Sequence, residues 1–249
     1  MEHIERYEQA VAPARRAFAD DAAVRLIQDP RIGADRLEAF FIQFSALGVA
    51  MTEPVEGWIR RAGEATVAVG GPGAETLGVA LQKHARAEAD HHLLMIEDLK
   101  RLCARRERAG RPGHDPDELL AQEWPESAHR YRRMHEDVIA GPEPYAQIAI
   151  ENEIEMLSVE IGPGLLANAR GLLGEEVLAD LSFLTDHVEL DAGHTKFNRR
   201  QMAKFLDERP DALDALVGAG IGALEAYRAF IGDCVARAGG SAGDDDRGA

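Results

Sequence analysis

Helical periodicity runs through nearly the whole chain of 249 residues, and the alternation that a half-buried strand needs is hard to find. Apolar residues recur at three- and four-residue spacings, interrupted by short glycine- and proline-rich stretches. The pattern predicts helices over 3–28 and from Ala34 through Gly63, where Pro54 is a kink or a new start. Further helices are predicted over 76–107, 124–139, 144–161, 165–172, 175–206 and 210–237. The breakers are DPRIG (29–33), VGGPGAE (69–75), RAGRPGHDPDE (108–118), GPEP (141–144) and GPG (162–164). There is no internal repeat. Residues 1–237 therefore read as one all-α domain, a bundle of about seven helices. The remaining 238–249, glycine-rich and acidic, read as a disordered tail.

Charge narrows the partners. Twenty-eight Lys and Arg face 44 Asp and Glu, a net of −16, which argues against nucleic acid and against an anionic membrane surface. Only Cys103 and Cys234 occur, too few for a disulfide framework or a thiolate metal cluster. The first ten residues, MEHIERYEQA, lack the basic and apolar regions of a signal peptide, and no apolar run approaches the ~18 residues of a membrane span. The expectation is a soluble, cytoplasmic protein.

Chemistry concentrates in a few segments. DHVELDAGH (186–194) places His187, Asp191 and His194 at i, i+4 and i+7, within about 60° of one another on a helix. Asp180 and Asn198 share that face, which continues into Met202 and Phe205. QKHARAEADHHLLMIEDL (82–99) repeats the spacing with His84, Glu88 and His91, on a stripe that otherwise carries Leu77, Leu81, Met95 and Leu99. Ionisable side chains on a buried stripe are costly unless paired or bound to a cation. Two such clusters make a shared metal site the economical explanation, against the plainer reading of solvated or satisfied histidines.

A third contribution is expected from YAQIAIENEIEMLSVEIGPG (145–164). Glu151, Glu153 and Glu155 cannot all share one helix face, because alternate residues diverge by about 200°. Glu153 has Ala149, Ile150, Met156 and Leu157 around it and is the favoured buried carboxylate, with Glu155 and Glu151 as alternatives. Glu126-x-x-His129 follows Pro125, where the helix dipole explains the acid, and its arginine neighbours read as solvated. His92 and Asp90 read as outer or surface residues, and His3, His114 and His135 as surface residues. Imidazoles with carboxylates and no thiolate suit iron or manganese better than a structural zinc.

The set His187-x3-Asp191-x2-His194, a Glu on a helix some thirty residues upstream, and Glu88-x-x-His91 on an earlier helix resembles the haem-oxygenase-like di-iron oxidases and oxygenases, over roughly residues 34–205. The resemblance implies a haem-oxygenase-like helical fold and two Fe(II) per chain, with manganese as the alternative at one site. It implies the ligands Glu88, His91, Glu153, His187, Asp191 and His194, with His84, Glu155, Glu151 and Glu53 as additional or alternative ligands. Many members place a glutamate where this chain has His84, so His84 either joins the ligand set or lies beside it. Some members add an acid from the preceding helix, for which Glu53 and Glu56 are the candidates.

Membership would imply O2-dependent oxidation of a small organic substrate, an amino acid or other carboxylate, in biosynthesis. It would imply an electron donor and a homodimer as well. Lys83, Arg86, Lys196 and Arg199 are the candidate cations for a substrate carboxylate. The alternatives are a metal-free enzyme like TenA or the pyrroloquinoline quinone synthases, and a non-enzymatic iron-binding helical protein. A TenA-like hydrolase needs a nucleophilic thiol, whereas Cys103 and Cys234 lie near predicted helix C-termini that disfavour a thiolate.

Overall fold

The computed structural model describes residues 2–240, and those residues form helices with no strand. Twelve α-helices follow in order among them: α1 Glu2–Ala19, α2 Ala22–Gln28, α3 Ala34–Thr52, α4 Val55–Val69, α5 Ala74–Ala85 and α6 His91–Arg108. Then come α7 Pro116–Leu120, α8 Glu126–Ala140, α9 Gln147–Glu160, α10 Gly162–Leu173, α11 Ser182–Glu208 and α12 Leu213–Gly240. The count exceeds the expected seven because local chemistry cuts several long apolar stripes in two. Asp21 caps α2, its side chain accepting from the Ala23 N–H, and so splits the helix expected over 3–28. Pro54 separates α3 from α4, and a 3-10 turn over Glu175–Asp180 replaces the expected start of α11. Residues 238–240, expected in the tail, close α12; the rest of that tail lies outside the described residues.

One correction bears directly on function. The single helix expected over 76–107 is broken at residues 86–90, where Asp90 sits at φ +65°, a left-handed conformation rare for a residue with a side chain. The apolar stripe survives the break. Leu77, Leu81, Met95 and Leu99 are all buried, so the same face meets the core on both sides of it.

Three helices are buried on more than one side. From Leu37 to Gly48 every residue of α3 is buried, and α9 buries Gln147 through Glu153 without interruption. The third, α12, packs against α1, α3, α8 and α9. By length and composition alone the stretch Pro210–Gly240 could also cross a membrane, where no apolar run of that length was expected. Large side chains such as Trp58, Phe40, Phe41, Phe205 and Phe230 are fully buried, each contributing roughly 1.5–3 kcal/mol of transfer free energy. Between α4 and α5 the backbones touch at Gly63 and Gly78, where a Cβ on either would lie 2.6 Å from the carbonyl oxygen of the other. That approach seats α5, and with it His84, against the bundle.

Candidate metal centre

His84 comes from the last turn of α5, Glu88 from the break, His91 from the start of α6, Glu155 from α9, and His187, Asp191 and His194 from α11. Two groups of donor atoms form. In the first, His84, Glu88, Glu155 and His194 each offer an atom within 4.8 Å of all the others; in the second, Glu88, His91 and His187 do the same. Glu88 belongs to both. Its Oε1 lies 3.3 Å from His194 Nδ1, and its Oε2 lies 3.0 Å from His91 Nδ1. The break at 86–90 explains this reach: the backbone leaves the helix at the residue that must face both groups.

The separations fit a shared ion. His84 Nε2 is 2.8 Å from Glu155 Oε1 and 3.9 Å from Glu88 Oε1. His194 Nδ1 is 3.7 Å from Glu155 Oε1 and 3.4 Å from Asp191 Oδ1. Ligand bonds of about 2.0–2.2 Å place neighbouring donors about 3.0 Å apart at right angles and about 3.5 Å apart in a tetrahedron. Moreover, His84 Nε2, Glu88 Oε1, His91 Nδ1, Glu155 Oε1, Asp191 Oδ2 and His194 Nδ1 are all buried without a hydrogen-bond partner. Buried polar atoms without partners cost about 1–3 kcal/mol each. Cations held between these donors would satisfy them together, so the residues fit the metal that the donor chemistry implies.

Electrostatics point the same way. Burial, then the Asp191 and Glu88 carboxylates, hold the Glu155 carboxyl well above its ordinary range. Burial also raises Glu88, but His91, His84 and His187 outweigh it and leave its carboxyl below the usual value. The Glu88 carboxylate beside it raises His91, the Asp191 carboxylate raises His194, and burial lowers His187. Three carboxylates this close cannot all be anionic without added positive charge.

Outer partners orient the donors. His187 Nδ1 donates to the Phe183 carbonyl at 2.6 Å, which leaves Nε2 for an ion. Asn198 Nδ2 donates to Glu155 Oε2 at 2.7 Å, leaving Oε1 for the cluster. The first turn of α11 has no cap of its own. Asp98 of α6 supplies one, accepting from the N–H groups of Ser182 and Phe183 and from the Ser182 hydroxyl. The helices that carry His91 and His187 are thereby fixed in register. The sequence reading placed Asn198 on the right face without assigning it a task, and it missed Asp98.

Among the glutamates of α9 the structure reverses the expected choice. Glu153 is fully buried, as its neighbours implied, but it faces α1: Arg15 donates to it through Nε at 2.6 Å and Nη2 at 2.7 Å, and the Tyr7 hydroxyl at 2.9 Å. It stands in neither donor group; Glu155, two residues on, stands in the first. Glu151, one turn before Glu155, lines the adjoining cavity and stands in neither donor group. Glu53 and Glu56 are exposed at the α3–α4 junction and are in neither group. His135, expected at the surface, is fully buried and stacked on Trp58, with ring centroids 4.1 Å apart.

Beside the cluster lies a cavity of ≈120 Å³ whose wall includes Glu88, Glu155, His187 and Asp191. The rest of its lining is mostly apolar, with Phe40, Phe44, Met95, Ile154, Leu165 and Phe230 prominent. No lysine or arginine lines it. Lys83, Arg86, Lys196 and Arg199 are all exposed and none reaches it, so they are not the anchors the sequence reading considered.

No protein-family model matches the chain, and no curated protein matches it in sequence. Solved structures do match. One is a domain of unknown function from Shewanella denitrificans, described as having a haem oxygenase-like fold. It aligns over 98% of this chain and 97% of its own at a TM-score of 0.76 and 16% identity. The fold is haem-oxygenase-like. A TenA homologue from Pseudomonas syringae pv. tomato aligns over 93% of this chain and 92% of its own, at a TM-score of 0.72 and 14% identity. At these identities the likeness shows the fold and leaves the chemistry to the site.

Proposed function

We propose that this protein is a non-haem di-iron oxidoreductase that uses O2 to oxidise a small organic substrate held in the cavity beside the cluster. The observation that carries the reading is Glu88, one carboxylate facing two groups of histidine and carboxylate donors, in which His84, Glu88, His91, Glu155 and His194 each keep a buried atom without a hydrogen-bond partner. In this reading His84, Glu155 and His194 hold one ion, His91 and His187 hold the other, and Glu88 and Asp191 lie between. Nitrogen and oxygen donors without thiolate suit iron, with manganese as the alternative at one site. Bound iron would supply the binding and reduction of O2.

The chain itself does the rest. Apolar walls keep water from the oxidant, Phe183 and Asn198 hold two donors in orientation, and the cavity brings one substrate bond beside Asp191 and His187. The same reading puts the enzyme in cytoplasmic biosynthetic metabolism, as a homodimer supplied by an electron donor, with no role at nucleic acid or membrane.

The metal-free alternative related to TenA finds less support. Burial pushes the Cys103 thiol up to about 11 and raises that of Cys234 as well, and neither lines the cavity. The test is anaerobic loading with Fe(II) followed by mixing with O2 in stopped flow, wild type against His194→Ala. The reading expects a transient visible absorption band and O2 uptake in wild type, both absent from the variant. No O2 reaction in iron-loaded wild type would refute it.

A further inference from the structure

Glu151 stands apart from the metal donors and from every ion pair. It is 6% exposed, it lines the cavity, and its carboxylate accepts a hydrogen bond from the Gln147 side chain. Gln147 is held in turn: its Nε2 lies 2.7 Å from His135 Nδ1, and His135 is stacked on Trp58. Among the described residues no lysine or arginine lies within ion-pairing distance of Glu151. An ionised carboxylate at this position, with no lysine or arginine beside it, would be costly in an apolar cavity unless a ligand brought the counter-charge. The structure around it leaves the counter-charge to a ligand.

The neighbouring side chains fit a cation with an apolar body. Tyr131 and Tyr227 line the same cavity with ring centroids 6.1 Å apart; Tyr227 meets Phe230 at 5.7 Å, and Phe230 meets Phe44 at 6.0 Å. From Phe44 the series passes to Phe183 and then to His187 of the metal cluster. Aromatic faces stabilise an ammonium group and also bury hydrocarbon. No lysine or arginine lines the cavity to receive an anion.

We propose that the substrate is a primary amine on an apolar aliphatic or aromatic body, its ammonium group paired with Glu151 and its body lying along the aromatic wall toward His187 and Asp191. This rests on the cavity being the substrate site of the proposed oxidoreductase. It replaces a substrate carboxylate with a substrate ammonium as the recognised charge. Burial pushes the Glu151 carboxyl up to about 8 in the ligand-free protein, and a bound ammonium favours its anionic form.

The experiment is calorimetric titration of the Fe(II)-loaded protein without O2, using n-hexylamine, n-hexanol and n-hexanoate, three probes of one chain length and different charge. Wild type is expected to bind hexylamine at least tenfold more tightly than either other probe. Glu151→Gln, which keeps the side-chain shape and the bond from Gln147, is expected to lose about tenfold in hexylamine affinity and leave hexanol unchanged. Hexanoate or hexanol binding wild type as tightly as hexylamine would overturn the proposal, as would an unchanged hexylamine affinity in a folded variant. Should Glu151→Gln fail to fold, the three-probe comparison in wild type decides alone. Iron content is measured on the same samples. If iron does not load, the di-iron reading fails, and the hexylamine comparison on the metal-free wild type and variant still decides this one.

Discussion

Glu153 and Glu155 sit two residues apart on α9, are both buried, and should respond oppositely to the same change. Glu153→Gln removes the carboxylate that Arg15 and Tyr7 share. Breaking one side of a buried pair costs about 3–5 kcal/mol. Arg15 is 17% exposed and keeps its contact with Glu8, so the lower end applies, about 3 kcal/mol. At about 2–4 °C per kcal/mol for a chain of this size, Tm falls by about 6–12 °C. Glu155→Gln differs. Without metal, burial and the neighbouring carboxylates favour the neutral form of that group, so a neutral amide of the same shape should shift Tm by about 2 °C or less. With metal it removes a ligand. Replacing mere outer partners of a ligand costs 10–100-fold, so iron affinity should drop by at least about 100-fold. Calorimetry in chelator reads the first quantity, and anaerobic iron titration of both variants at a temperature where both are folded reads the second. A folded Glu153→Gln that loses iron, beside a Glu155→Gln that keeps it, would refute the assignment.

Other outcomes follow from the same structure. Burial pushes His135 down to about 3, so the folded state stays neutral where the unfolded chain takes a proton; its contribution is present above the unfolded value near 6.5 and is lost as pH falls. Denaturant melts at pH 7 and pH 5 should show wild type losing about 2 kcal/mol more than His135→Gln between the two, and equal losses would count against a buried neutral histidine. Gly78→Ala would set its Cβ 2.6 Å from the Gly63 carbonyl oxygen, costing about 1–3 kcal/mol in thermal melts. Gly57→Ala, with nothing within 4 Å, should be neutral or stabilising by about 0.5–1 kcal/mol. Asp98→Ala removes the cap of α11, for a loss of about 1–2 kcal/mol. It should also weaken one of two iron sites by about 10–100-fold in anaerobic titration, and a stability change with unaltered iron binding would show that Asp98 caps without positioning.

How much of this was legible in sequence depended on how far away each partner lies. The all-helical fold and the spacing of His187, Asp191 and His194 are local properties of periodicity, and the structure has that face turned toward the other donors. The break at 86–90 was hidden because the apolar stripe keeps its phase across it, with Leu81 and Met95 both buried. Glu153 was chosen over Glu155 because apolar neighbours report burial, and burial does not say what a carboxylate meets. Its partner, Arg15, stands 138 residues away on α1. His135 misled for the same reason, since its shielding comes from Trp58 of α4. Asp98 acts on α11 from α6, and no local motif records a cap supplied across 84 residues.

The central claim is that one carboxylate serves two metal positions, and its direct test is anaerobic Fe(II) titration of wild type and Glu88→Ala with iron counted per chain. Two irons per wild-type chain and the loss of both in a folded Glu88→Ala are expected. Wild type binding one iron or none, or a folded Glu88→Ala still holding two, would contradict it.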